Sequence, residues 1–287
     1  ISNRTTKKSL LGVEYKMPVA LAPVGSLGMQ RADGEILAAQ AAEGFGVPFT
    51  LSTMSICSIE EVARNTSKPF WFQLYVMRDH DFAKRLVERA KAAQCSALVL
   101  TLDLQILGQR HADIRNGLSI PLKIKLSNLF DLLSKPSWCY QMARTKNRTF
   151  GNVMGHVKDI TNLNSLTKWV QDQFDTRLNW DDVKRIKDWW GGKLIIKGIM
   201  DPDDAKMAQK CGADALVVSN HGGRQLDGVN SSISTLPEIK KAVSGMEVLM
   251  DGGISSGQDI LKAIAMGAEG VMIGRSFVYG LSAGGKE

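Results

Sequence analysis

The run Ala215-Leu216-Val217-Val218-Ser219-Asn220-His221-Gly222-Gly223-Arg224-Gln225-Leu226-Asp227-Gly228 joins two kinds of sequence. The first four residues are apolar and β-prone. They read as a buried parallel strand, both faces covered. The ten that follow are polar and glycine-rich. A histidine, an arginine and two glycines are thereby set at the carboxyl end of a strand. Histidine takes up a proton near neutral pH. The planar fork of arginine matches a carboxylate. The glycines let backbone approach a ligand closely. A base and a carboxylate clamp three residues apart suggest proton abstraction from a small carboxylic acid. The rival reading is a polar turn whose His221 and Arg224 are merely solvated.

Working outward, the same strand pattern recurs. Val19–Ala22, Pro48–Leu51, Trp71–Leu74, Ala97–Leu100, Leu194–Ile196, Val248–Met250 and Gly270–Ile273 join Ala215–Val218 to make eight candidate strands. Amphipathic helical stretches alternate with them. Alternation implies parallel βα units, and eight such units imply a closed (β/α)8 TIM barrel of the α/β class. Helix starts are signalled by Ser58-Ile-Glu-Glu61, Asn179-Trp-Asp-Asp182 and Asp201-Pro-Asp-Asp204, and a helix end by Gly267.

Between the fourth and fifth strands lie roughly ninety residues where a βα unit needs about thirty. Residues 117–177 are therefore expected to be an insertion above the carboxyl face, the place of lids and docking segments. The rest of 1–287 reads as one barrel domain. The chain begins at Ile1, close to strand one, and stops just after strand eight. Both ends are thus expected to be truncated, with the eighth helix missing.

The chain of 287 residues carries a formal charge of +7 and is 44% hydrophobic. Residues 121–150 hold Lys123, Lys125, Lys135, Arg144, Lys146 and Arg148 against the single acid Asp131. Leu126, Leu129, Phe130, Leu132, Leu133 and Trp138 are interspersed. A basic, apolar loop of this kind fits an anionic membrane surface, and no nucleic-acid reading motif accompanies it. Cys57, Cys95, Cys139 and Cys211 show neither a CxxC pair nor metal spacing, and read as reduced thiols. No metal is expected. No apolar run reaches the length of a membrane span.

Active sites of such barrels lie at the carboxyl ends of the strands. Those positions here are Pro23-Val24-Gly25, Ser52, Gln73 and Tyr75, Thr101 and Asp103, Lys197, Ser219 to Arg224, Asp251-Gly252-Gly253, and Gly274-Arg275. Residues two apart on a strand share a face, so Gln73 with Tyr75 and Thr101 with Asp103 can enter one pocket. The groups after strands seven and eight lie where barrels bind phosphate.

The decapeptide Ser219–Gly228 resembles the signature of the FMN-dependent 2-hydroxy-acid dehydrogenases and oxidases. Ala22-Pro-Val-Gly-Ser-Leu-Gly-Met29, Phe49-Thr-Leu-Ser-Thr53 and Trp71-Phe-Gln-Leu-Tyr75 resemble its bacterial L-lactate dehydrogenase branch, and the likeness covers nearly the whole chain. The resemblance implies FMN as cofactor and oxidation of L-lactate, or a related 2-hydroxy acid, to the 2-oxo acid. It makes His221 the base, paired with Asp103. It places Tyr75, Arg110 and Arg224 on the substrate. It assigns Pro23, Val24, Gly25, Ser52, Gln73, Thr101, Lys197 and Ser219 to the flavin end, and Asp251, Gly253, Gly274 and Arg275 to the ribityl phosphate.

Two departures stand out. Ser255 occupies a position where the family usually has a phosphate-gripping arginine, and a substrate-side tyrosine that the family carries near its N-terminus is absent. Gly25 stands where many oxidases of the family carry alanine. The basic loop resembles the membrane-docking loop of mandelate dehydrogenase. The likeness thus implies a homotetramer docked peripherally on the cytoplasmic face of the inner membrane, passing electrons to quinone or another respiratory acceptor. A peroxide-forming soluble oxidase, a mandelate dehydrogenase, a Schiff-base aldolase built on Lys197, and a non-catalytic basic barrel remain the alternatives. Whether His221 takes the α-carbon proton or the hydroxyl proton stays open.

Overall fold

The alternation read from the sequence is visible in the computed structural model as a parity of side chains. In the strand Trp71–Tyr75, Trp71 joins one apolar cluster, with Ala97, Val99, Ile195, Ala215, Val217, Leu249 and Met272. Its neighbours Phe72 and Leu74 join another, larger cluster shared with the helices. Successive strand side chains point to opposite faces, so one set fills the interior and the other packs the outer layer.

The structure describes residues 4–105, 108, 110–116, 130, 133–157, 169, 172–173 and 175–287. A hairpin of β1 (Lys8–Leu10) and β2 (Val13–Tyr15) comes first. It is followed by β3 (Val19–Leu21), α1 (Leu27–Gln30), α2 (Gly34–Phe45), β4 (Thr50–Ser52), α3 (Ile59–Arg64), β5 (Trp71–Tyr75), α4 (His80–Ala92) and β6 (Ala97–Thr101). Beyond α5 (His111–Arg115) and α6 (Pro136–Arg144), α7 (Trp180–Trp190) leads into β7 (Lys193–Ile199). The chain ends through α8 (Pro202–Lys210), β8 (Ala215–Val218), α9 (Ser232–Ala242), β9 (Glu247–Asp251), α10 (Gly257–Ala265), β10 (Gly270–Ile273) and α11 (Arg275–Gly284).

Strands β3 to β10 pair in parallel in the order β3-β10-β9-β8-β7-β6-β5-β4. A parallel bridge from Leu21 to Phe49 joins the two ends of that row and closes the barrel. All eight expected strands are present, with ends shifted by at most three residues. The predicted caps hold: Ser58 and Asn179 each form a capping box, and the Asp201 side chain accepts from the amides of Asp203 and Asp204. Gly267 follows the end of α10 at φ 109°.

One expectation fails. The eighth strand is followed by a helix, α11, so the barrel is not bare there. Gly280 and Gly284 lower its helix propensity and hid it. Ahead of strand one, the β1–β2 hairpin sends Leu10, fully buried, into the interior cluster.

The predicted insertion is only partly an excursion. Lys123, Lys125, Leu126, Leu129, Asp131 and Leu132 lie outside the described residues, as does much of 117–177. Residues 145–157, however, are bound to the barrel wall. Asn152 is fully buried; its amide donates to Ser55 Oγ at 2.9 Å, and its carbonyl oxygen accepts from the Ile59 amide at 3.0 Å. Gly151 donates to Ile56 O at 3.1 Å, and a Cβ there would stand 2.7 Å from that oxygen. Helix α6 is tied to the barrel mouth by Trp138, whose indole donates to Met29 O at 3.0 Å.

Candidate active site

The interior parity turns polar at the carboxyl end of the barrel. Above Trp71 on β5 comes Gln73. It accepts from Ser52 Oγ at 3.1 Å and donates through Nε2 to Thr101 Oγ1 at 3.1 Å. Ser52, Gln73 and Thr101 are all buried, so three adjacent strands present one continuous polar row. Thr53, which sequence reading did not single out, fixes that row: its hydroxyl donates to Gln73 O at 2.6 Å.

Lys197 crosses the mouth from β7. Its ammonium lies 2.9 Å from Ser219 Oγ, 3.1 Å from Asp251 Oδ2 and 3.8 Å from Asp103 Oδ2. Burial works against the charged amine, but the two carboxylates outweigh it and raise the Lys197 pKa. Burial likewise favours a protonated Asp103; the charge of Lys197 and the bond to His221 overcome it and hold the carboxyl below its usual range.

His221 Nδ1 stands 2.8 Å from Asp103 Oδ1. The pair spans 118 residues of sequence and brings the ends of β6 and β8 together. Three consecutive left-handed residues, His221, Gly222 and Gly223 at φ 56°, 66° and 69°, turn the chain there. Asn220 locks this turn by accepting from the Gly223 amide at 3.1 Å, and Ser219 Oγ accepts from the His221 amide at 3.1 Å.

Asp103 reaches its place through a glycine that sequence reading passed over. Gly198 follows Lys197 at φ 103°, where the β7–β8 register slips. A Cβ on Gly198 would lie 2.7 Å from Asp103 Cβ. The bulge and the missing side chain together make room for the acid. The signal available in the sequence was a glycine directly after a strand-end lysine.

Tyr75 ends β5 within the electrostatic reach of Lys197, Asp103 and Arg110, and burial pushes its phenol up to about 12. It also lines a cavity of about 40 Å³ with Met54, Val76, Met77, Leu104, Trp169 and Gln173. Arg224 and Arg110 face each other closely enough for the charge of Arg224, added to burial, to lower the Arg110 pKa. Arg275 begins α11, its guanidinium 3.8 Å from where a Gly222 Cβ would stand. Gly25, with Pro23 and Val24, forms the turn after β3, and a Cβ on Gly25 would make only ordinary contacts with Met54. His80 and His111 head α4 and α5, and His156 sits on the outer wall beside Arg89 and Glu60; none of the three joins this cluster.

The model of the FMN-dependent dehydrogenase family matches residues 1–287. The chain belongs to that family. It is 46% identical over 289 residues to the L-lactate dehydrogenase of Haemophilus influenzae strain PittEE, covering 100% of this chain and 76% of that relative. The L-lactate dehydrogenase of Vibrio cholerae serotype O1 strain M66-2 is 44% identical over 288 residues, with 100% and 76% covered. Among solved structures, the monotopic membrane protein (S)-mandelate dehydrogenase superposes with a TM-score of 0.93 at 35% identity, over 99% of this chain and 75% of that one. A mandelate oxidase does so with a TM-score of 0.81 at 35% identity, over 99% and 73%.

FMN is the cofactor of the family, and the mouth of this barrel fits it. A flavin ring needs hydrogen-bonding groups along one edge, and Gln73, Thr101 and Lys197 are buried donors in one row. Asp251 Oδ1 is buried without a protein partner, as a ligand hydroxyl would require. Gly253 and Gly274 leave open space where a Cβ would stand. Helix α11 starts at Gly274 with no side-chain cap, so its first amides are available to an anion. Ser255 is differently engaged: its hydroxyl and amide both lie 3.1 Å from Asp259 Oδ2, inside the capping box of α10.

Proposed function

We propose that this enzyme oxidises L-lactate, or a closely related small 2-hydroxy acid, to the 2-oxo acid. The observation that carries the reading is the partly buried His221–Asp103 pair at 2.8 Å, set with two arginines and a buried lysine at one barrel mouth. FMN supplies the two-electron acceptor. Gln73, Thr101 and Lys197 would hold its ring, with Ser52, Ser219 and the turn Pro23-Val24-Gly25 completing the flavin end. Asp251, Gly253, Gly274 and Arg275 hold its ribityl phosphate, leaving Ser255 to its capping bonds. With FMN bound, the Lys197 ammonium would supply positive charge beside the ring.

Arg110 and Arg224 clamp the substrate carboxylate, and Tyr75 donates a hydrogen bond to the substrate. His221 takes a substrate proton on Nε2. Asp103 orients the ring through Nδ1 and stabilises the imidazolium that results.

Electrons are proposed to leave for quinone or another respiratory acceptor. The chain is read as one barrel domain, 1–287, assembled as a homotetramer. The basic, apolar segment 121–150 docks it on the cytoplasmic face of the inner membrane. Among the described residues no helix is long and apolar enough to cross a membrane, so the docking proposed is peripheral.

The test is anaerobic. Adding L-lactate to the FMN-loaded enzyme should bleach the flavin band, with fast recovery on a quinone and slow recovery in air. Fast recovery in air with peroxide release would make the enzyme an oxidase. Bleaching by mandelate but not lactate would overturn the substrate. His221→Gln should keep FMN bound and lose bleaching by at least about a hundredfold; undiminished bleaching would remove His221 from its role.

A further inference from the structure

Two guanidiniums that serve one carboxylate must be brought together against their own repulsion. Arg110 and Arg224 show that conflict, since the charge of Arg224 lowers the Arg110 pKa. The side chain that offsets it is Asp113. Its Oδ2 lies 3.5 Å from Arg224 Nη2, and its charge raises the Arg110 pKa. Asp113 stands three residues after Arg110, across the first turn of α5, so one short segment carries both a clamp arginine and its counter-charge. The backbone is fitted to the same end: a Cβ on Gly108 would collide with Arg224 O and stand 2.9 Å from Gln225 Cα. Only glycine at position 108 lets the segment of Arg110 lie against the segment of Arg224.

We infer that Asp113 is a positioning residue that holds Arg224 beside Arg110 in a geometry able to receive a carboxylate. The inference rests on the reading of Arg110 and Arg224 as the substrate clamp. Arg224 is half-exposed and rotamer-rich, so an unheld fork would spend much of its time in solvent. At 3.5 Å a single Nη2 faces Asp113, which leaves the other donors of the planar guanidinium for the ligand. Asp113 also removes one positive charge from a cluster that would otherwise carry two, so the clamp answers a monoanion.

The experiment compares L-lactate with L-lactamide, which has the same carbon skeleton and no carboxylate. Asp113→Ala and Asp113→Asn, loaded with FMN, should raise KM for L-lactate about three- to fivefold with little change in kcat, the range expected of a half-exposed ion pair. Their kcat/KM for L-lactamide should stay at the wild-type value. An equal loss on both substrates would make Asp113 a structural residue and overturn the inference. So would an unchanged or lower KM for L-lactate, the latter showing Asp113 to be a competitor for the fork. Arg224→Lys separates the two levels. If it leaves KM for L-lactate unchanged, the clamp itself is wrong. If it raises KM while the Asp113 variants do not, only the positioning role is lost.

Discussion

Asp103 is shared between His221 at 2.8 Å and Lys197 at 3.8 Å, and Gly198 decides whether it can be shared at all. Gly198 combines a φ of 103° with a would-be Cβ contact of 2.7 Å to Asp103. A side chain there is penalised twice, by backbone strain and by displacement of the carboxylate that pairs with His221. Gly198→Ala should fold and bind FMN but be reduced by substrate at least about a hundredfold more slowly, as misplacing an orienting group does. A variant that reacts at the wild-type rate would show that Asp103 can find its place without the bulge. On the outer wall, Glu60 illustrates a charge with a purely structural task. Arg89 donates to it at 2.7 and 2.8 Å and brings its pKa down to about 2, despite partial burial. The folded value lies below the unfolded one, so the pair stabilises the fold above the ordinary carboxylate pKa. The benefit is lost as pH falls towards 2. Because Glu60 is partly exposed, Glu60→Gln should lower the melting temperature by only about 1–3 °C at pH 7. The gap should close between about pH 4.5 and pH 2; a gap that persists at pH 2 would rule out this ion pair as its source.

At the scale of elements, the hairpin β1–β2 does for the amino end of the barrel what the polar row does for the carboxyl end. Leu10 is fully buried among Ala20, Trp71, Ala97, Ile195 and Met272, and seals the interior. Leu10→Ala should cost about 2–4 kcal/mol in unfolding by urea, the range for a cavity in a packed core. It should leave KM for the hydroxy acid unchanged, since the cavity lies below the ligand layer. A shift in KM would mean that the two ends of the barrel are coupled. This element also marks what sequence reading could reach. The eight barrel strands were legible because each carries an apolar run of three or four residues with a polar or glycine end and a helical stretch between it and the next, and period-2 parity then placed Gln73, Tyr75, Thr101 and Asp103 in one pocket. The hairpin strands have three residues each, and only Leu10 of the six is buried, so no periodicity announces them. Helix α11 was masked by its glycines. Asn152 looked like any loop asparagine, because its partners at Ser55 and Ile59 lie more than ninety positions away. Pairings such as Arg224 with Asp113 are likewise set by the closed barrel and have no local trace.

At the scale of the whole molecule, the formal charge of +7 is unevenly placed, and its densest segment also carries exposed large apolar side chains. Phe130, Leu133 and Tyr140 are 72%, 69% and 60% exposed. Lys135, Arg144, Lys146 and Arg148 share their segment. Apolar side chains that insert at the headgroup boundary, with basic ones that meet anionic headgroups, are the two ingredients of interfacial binding, and neither is sufficient alone. The tether from Trp138 to Met29 sets α6 against the barrel mouth, so docking through it would bring the flavin end of the enzyme to the lipid surface, where a quinone is dissolved. The FMN-loaded protein should therefore sediment with vesicles containing anionic lipid, less with neutral vesicles, and should be released as salt rises. Phe130→Ser with Leu133→Ser should weaken sedimentation at every salt concentration. Lys135→Glu with Lys146→Glu should weaken it chiefly at low salt. Turnover with a water-soluble acceptor should stay at the wild-type level in both, because neither pair touches the polar row around Lys197. Equal sedimentation of wild type and both variants would detach the membrane from this segment. Loss of activity with the soluble acceptor would mean that the segment shapes the active site instead of carrying it to the surface.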